Sequence, residues 1–217
     1  MTDKLGYVDV YDHPLTLELR KNHNTILEEF KILSNHFLGI KPNNFMGSVV
    51  DQKSSNGHEL YQGKINSVFT HVAADSCSKP EYEAVWGLTE ESHRAAEEKF
   101  LIKRKLTPVL ESILDPYRKY LGCVGFNLMY PPAKLSMHYG MVSKYIRFHL
   151  GLICDSGAKF HVNEYPPRAW EPGKVWAFDD GDAFHGTTHD GKNLRVILIV
   201  DIDRAGLGPL EEEKKWG

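Results

Sequence analysis

Leu17, Leu19, Ile26, Leu27, Phe30, Ile32 and Leu33 recur at roughly helical spacing through LTLELRKNHNTILEEFKILSNHF. Residues 15–37 therefore read as an amphipathic helix. Residues 40–75 are polar and rich in Gly and Asn, with short apolar pieces such as KINSVFTHV; this pattern predicts loops and edge strands. TEESHRAAEEKF, from Thr89, starts like a helix, with a capping threonine and acidic residues in the first turn, where they complement the helix dipole. Another helix is expected from Thr107-Pro108, a cap followed by proline at the first helical position. VLESILDPYRKYL carries it to Pro116, and Gly122 closes the segment.

Beyond Gly122 the period changes. CVGFNLMY, KYIRFHLGLI, GKVWAFDD and LRVILIVD are short runs of aromatic and β-branched residues between Pro, Gly, Asn and Asp clusters. These are strand signals at the spacing of an all-β barrel or sandwich. The chain is thus expected to form one α+β domain, mainly β. Residues 1–121 would be largely helical support, 122–203 the strand-rich core and 204–217 a solvated tail.

Composition narrows the function classes. With 217 residues the chain can bury one substantial core, and 41% hydrophobic with 25% charged residues is ordinary for a soluble globular protein. A net charge of −3 without a basic stripe argues against a nucleic-acid partner. No apolar run is long enough to span a bilayer, and MTDKLGYVDVYDHPL lacks the apolar core of a signal peptide, so no membrane association is expected. Cys77, Cys123 and Cys154 are far apart and form no CxxC pair, which suits free thiols in the cytoplasm.

Candidate chemistry collects after residue 130. Strand side chains alternate, so in YIRFHLGLI one face carries Ile146, Phe148, Leu150 and Leu152 and the other Tyr145, Arg147, His149 and Gly151. LRVILIVD is apolar on both faces apart from Arg195 and the closing Asp201. An arginine there either snorkels at the strand end or binds an anion, because its fork donates two parallel hydrogen bonds to a carboxylate. His138, in MHYG, and His185, in FDDGDAFHG, end different strands and lead toward strands carrying arginine. Open-site non-haem iron enzymes use two histidines and one carboxylate. No histidine here has an acidic residue two positions later, so spacing alone leaves both a metal site and ordinary strand-end histidines open.

The ordered set His138, Arg147, His149, Trp170, Gly173, Lys174, Phe178, Asp179, Asp180, His185 and Arg195 resembles the aspartyl/asparaginyl β-hydroxylase family. It lies in HYGMVSKYIRFHLGL, WEPGKVWAFDDGDAFHG and NLRVILIVD, with Arg147 and His149 nine and eleven residues after His138 and Arg195 ten after His185. The resemblance covers about residues 120–203. It implies a double-stranded β-helix (jelly roll, cupin-like) buttressed by N-terminal helices, and an iron(II)- and 2-oxoglutarate-dependent dioxygenase using O2. His138 and His185 would be the catalytic metal ligands, with Gly140 where other oxygenases place an acidic ligand. Arg147 and His149 would hold the chelating end of 2-oxoglutarate and Arg195 its far carboxylate. Asn127 stands where a small hydroxyl residue is expected beside that carboxylate. His149 also begins an HxG, so a swapped ligand assignment stays open. Asp179 or Asp180 would orient the histidines from the turn before His185, or simply form that turn.

The substrate side is expected in residues 1–121 and around Trp86, Tyr130, Lys144, His161 and Arg168, each of which has an alternative packing or surface reading. Tyr82 is weighed likewise. Trp170 and Trp176 are expected to pack the barrel, and His189 to lie in a surface loop. The expected activity is hydroxylation of an unactivated C–H bond in an amino acid, peptide or small metabolite, with 2-oxoglutarate converted to succinate. A halogenase using the carboxylate-free metal position is the first rival. A non-enzymatic jelly-roll module binding a carboxylated ligand through Arg147 and Arg195 is the second. Residue types leave the oligomeric state open.

Overall fold

The computed structural model describes residues 6–38, 61–72, 100–140 and 143–209. The expected helix from Thr89, Tyr82, Trp86, Cys77 and most of 40–75 lie outside the described residues.

Two helices, α1 (Pro14–Lys21) and α2 (His23–Leu38), stand where the sequence predicts one. The break falls at Asn22, whose backbone and side-chain amides both donate to the Glu18 carbonyl and end the first helix. Leu15, Leu19, Ile26, Phe30 and Leu33 form the buried stripe, whereas Leu17 and Ile32 point to solvent. A further helix, α3 (Pro108–Leu114), starts at Pro108 as expected, but Thr107 does not cap it. The Thr107 hydroxyl donates back to the Lys103 carbonyl, and Glu29 of α2 supplies the cap, accepting from Val109 N at 2.6 Å and Leu110 N at 3.1 Å. That reach across helices is invisible to a local capping rule.

The strands are β1 (Tyr7–Val8), β2 (Tyr61–His71), β3 (Leu121–His138), β4 (Tyr145–Ile153), β5 (Ala158–Val162), β6 (Arg168–Ala169), β7 (Val175–Asp179), β8 (His185–His189) and β9 (Arg195–Asp203). All pairings among them are antiparallel, in the order β1-β7-β4-β9-β3-β8-β5-β6, with β2 added along β3. The sheet curls because β3 serves two partners in succession. Its first half pairs with β9 and its second half with β8. At the changeover β2 shifts register around Gly63, whose φ of 77° and close approach to Pro132 admit no side chain.

Alternation then sorts the chain into two apolar layers. Phe126, Ile146, Phe148, Leu150, Val196, Leu198 and Val200 face the helices. Between the curled halves lies a second cluster of Tyr7, Phe160, Val162, Trp170, Trp176, Phe178 and Ile197. The architecture is α+β, mainly β: a jelly-roll, cupin-like sheet buttressed by N-terminal helices. The candidate residues Arg147, His149, Arg195 and Asn127 alternate with the helix-facing residues and so lie on the interior face.

Candidate active site

His138 ends β3 and His185 begins β8, and the two are direct cross-strand partners with ring centroids 4.3 Å apart. Each ring is tied in the same way. His138 Nδ1 lies 2.8 Å from the Ser136 carbonyl, and His185 Nδ1 lies 2.8 Å from the Ala183 carbonyl. A carbonyl only accepts, so both rings carry their proton on Nδ1 and their lone pair on Nε2. Burial lowers both imidazoles below their ordinary range, His185 well below, so both are neutral at pH 7 as metal ligation requires.

Asp179 and Asp180 separate into two roles. Asp179 pairs with Arg204 and accepts from Asp182 N, closing the turn. Asp180 faces inward, 3.4 Å from His185 Nε2 and 2.7 Å from Arg147 NH1. Gly140 N donates to the Asp180 carbonyl at 2.7 Å, and a Cβ on Gly140 would stand 2.6 Å from Asp180 Cγ and nearer still to Oδ2. The space beside the glycine is thus filled by a carboxylate from another strand end.

Arg147 directs its fork at protein carboxylates. Nε and NH2 reach Asp201 at 2.7 and 2.8 Å, and NH1 reaches Asp180. Desolvation would lower this guanidinium, but Asp180 and then Asp201 outweigh it and hold the charge well above its ordinary value. In this structure its fork joins an ion network that fixes Asp180 beside His185.

Arg195 is in the opposite condition. It is 2% exposed, and among the described residues no carboxylate pairs with it. NH1 donates to Asn127 Oδ1 at 2.8 Å, NH2 lies 3.2 Å from Met129 Sδ, and the guanidinium stacks 4.7 Å from the Trp170 ring. Burial without a counter-ion pushes it down to about 9. Nε has no partner, and neither do the nearby His149 Nδ1 and Trp170 Nε1. His149 sits among Phe160, Trp170, Trp176 and Phe178, and burial, then Arg147 and Arg195, push it well below its ordinary value. A buried cation with orphaned polar atoms around it is a site shaped for an anion. The residues around Arg195 therefore suit a carboxylate.

Other expected residues fall elsewhere. The ring that meets His185 is that of His138, not His149, against the swapped assignment. Tyr130 packs against the helix-facing layer, because its place on β3 alternates with that of Met129. His161 alternates with Phe160 and Val162 onto the outer face, where Nε2 meets the Thr188 hydroxyl. Lys144 pairs with Asp203 at 3.5 Å at the surface. Arg168 stacks 3.8 Å from the Tyr7 ring at the barrel end. His189 is fully buried in a strand, not in a surface loop, and its Nε2 lies 2.8 Å from the Asn193 carbonyl. Sequence reasoning missed Ser67, Asp201 as the Arg147 partner, and Trp170 as the floor beneath Arg195. Asp201 had a signal, a lone acid closing an apolar strand; Ser67 had none before the β2–β3 register was known. Among the described residues no group of three or more His, Cys, Asp or Glu forms a metal cage, and no helix is long and apolar enough to cross a membrane.

A family model described as Aspartyl/Asparaginyl beta-hydroxylase matches residues 58–205. The chain is 32% identical over 111 residues to mouse (Mus musculus) aspartyl/asparaginyl beta-hydroxylase, covering 48% of this chain and 15% of that protein. It is 32% identical over 84 residues to human (Homo sapiens) aspartate beta-hydroxylase domain-containing protein 1, covering 37% of this chain and 21% of the relative. The chain thus spans about a fifth or less of the length of these curated relatives. Among solved structures, a cupin-like protein of Thermotoga maritima aligns over 80% of this chain and 90% of its own, at 10% identity and a TM-score of 0.39.

Proposed function

The chain belongs to the aspartyl/asparaginyl β-hydroxylase family, and from that premise we propose that it is an iron(II)- and 2-oxoglutarate-dependent dioxygenase hydroxylating an unactivated C–H bond. The observation that carries the proposal is the buried Arg195 guanidinium, without a counter-ion among the described residues and near the unpartnered polar atoms of His149 and Trp170. A 2-oxo dicarboxylate bound there supplies the missing negative charge.

His138 and His185 would hold the iron through their Nε2 atoms, with both rings locked by backbone carbonyls. Bound iron(II) and 2-oxoglutarate supply the oxidising power: O2 is reduced, one oxygen entering the substrate and one the succinate formed as CO2 is lost. Arg195 would pin the far carboxylate, and Asn127 would hold Arg195 in place. His149, buried and neutral, would offer Nδ1 toward the cosubstrate. Asp180, clamped by Arg147, would accept a hydrogen bond on the metal side of His185 and orient groups bound there. The aromatic layer of Phe160, Trp170, Trp176 and Phe178 keeps water from this end of the barrel.

The carboxylate of Asp180 also bears on the choice between hydroxylation and halogenation. It fills the space next to Gly140, so a halide there would face a negative charge. That favours hydroxylation. The substrate would be an amino acid, a peptide or a related small metabolite, and Cys123 and Cys154, neither in a disulfide, suit a cytoplasmic setting.

Purified protein incubated with iron(II), ascorbate, 2-oxoglutarate and a panel of amino acids and peptides tests the reading. Iron-dependent succinate and a product heavier by one oxygen are expected. A chlorinated product in added chloride would establish the halogenase instead, and no turnover with no iron uptake would leave a carboxylate-binding module.

A further inference from the structure

We propose that Ser67 is a positioning residue for the cosubstrate's far carboxylate, acting through Asn127 on Arg195. The inference rests on the reading that Arg195 binds that carboxylate.

Ser67 of β2 is the direct cross-strand partner of Asn127 on β3, so both point to the same face. Arg195 reaches that face from β9, where it pairs with Met129, two residues along β3 from Asn127. The amide of Asn127 bridges the two. Its Oδ1 accepts from Arg195 NH1 at 2.8 Å, and its Nδ2 donates to Ser67 Oγ at 2.9 Å. An amide is nearly symmetric in shape, and a turned amide would present N–H to the guanidinium, which only donates. The donor-only guanidinium fixes Oδ1 on its own side, and the Ser67 hydroxyl, accepting from Nδ2 on the other, holds the amide in that orientation. With NH1 fixed on Asn127 and NH2 against Met129 Sδ, Arg195 keeps the pose that leaves its Nε unpartnered. The chain thus carries an amide on β3 where a hydroxyl is expected, and β2 brings a hydroxyl to the same place one strand over.

Calorimetric titration of the manganese(II)-loaded full chain with 2-oxoglutarate tests this without turnover. Arg195→Met should weaken binding on the order of a hundredfold, the loss typical of truncating a buried charge contact. If Arg195→Met binds like wild type, the underlying reading fails and the inference with it. If Arg195→Met loses binding, Ser67→Ala should weaken it about tenfold, the scale of one hydrogen bond, and Ser67→Thr should restore it to within about twofold. In turnover the KM for 2-oxoglutarate should rise with kcat unchanged. Binding of 2-oxobutyrate, which lacks the far carboxylate, should not respond to Ser67→Ala. In an Asn127→Ala background the Ser67→Ala effect should vanish. Unchanged 2-oxoglutarate binding in Ser67→Ala, or an undiminished effect without Asn127, overturns the proposal. Should Ser67→Ala not fold, Ser67→Cys, close in size and a poor acceptor, is read by the same comparisons.

Discussion

His138 and His185 face each other across the β3–β8 ladder with ring centroids 4.3 Å apart, each held through Nδ1 by the carbonyl two residues before it. The repeated tether means that two strand ends deliver the same tautomer in the same setting. Two neutral donors are thereby placed side by side on rigid elements rather than on loops.

Asp180 is the one carboxylate among the described residues within reach of this pair, 3.4 Å from His185 Nε2. Asp180→Asn keeps the shape and removes the charge. Turnover should fall about 10- to 100-fold, the range for groups that orient metal ligands, while circular dichroism stays that of wild type. Steady-state succinate formation measures it, and an unchanged rate would relegate Asp180 to the turn.

Gly140 has no room for a side chain, because Asp180 stands where its Cβ would go. Gly140→Asp should therefore not restore a two-histidine, one-carboxylate site. It should push Asp180 away and lower iron affinity, read by anaerobic iron(II) titration. Tighter iron binding in this variant would contradict the packing described here.

Arg195 costs the ligand-free fold stability, since among the described residues no carboxylate neutralises it, and a buried charge without a counter-ion is replaced favourably by an apolar side chain of similar volume. Arg195→Met should leave the stability of the ligand-free protein unchanged or raise it by up to about 4 kcal/mol, while abolishing stabilisation by 2-oxoglutarate. Thermal melts with and without 2-oxoglutarate decide it. A structural arginine would give the reverse: a lower midpoint and retained ligand stabilisation.

Asp155 clamps the loops beside β5 and β9, accepting from Gly157 N at 2.8 Å, Asn193 N at 2.9 Å and Lys192 N at 3.1 Å. These backbone donors, Gly157 foremost, lower its carboxyl from 3.8 to about 2. A depressed folded value means that the clamp contributes fully above the unfolded value and fades as pH falls toward about 2. Melting midpoints of wild type and Asp155→Asn should differ at pH 6 and converge through that acid window. A constant gap at every pH would show that the carboxylate charge is not what holds the loops.

Much of this architecture was legible along the chain. Period-two alternation placed Arg147 and His149 on one face of β4 and the apolar residues on the other, whereas only the family resemblance, not spacing, set His138 and His185 apart from the other histidines. What eluded the sequence was long-range pairing. Nothing local says that Glu29 caps α3, that Arg147 meets Asp201 across β4 and β9, or that Ser67 lies opposite Asn127. The Gly and Thr content of HGTTH suggested a loop, yet pairing with both β3 and β5 makes it a strand and buries His189. Propensity yields to a partner on each side. Asp179 and Asp180 were equivalent as letters, and only the turn geometry gave one to Arg204 and the other to His185.

Iron(II) titration under anaerobic conditions in the presence of 2-oxoglutarate is the most direct test of the two-histidine centre. Wild type should take up one ion per chain, and the His138→Ala/His185→Ala variant, folded by circular dichroism, should take up none. Equal uptake by both proteins, or none by wild type, would contradict it.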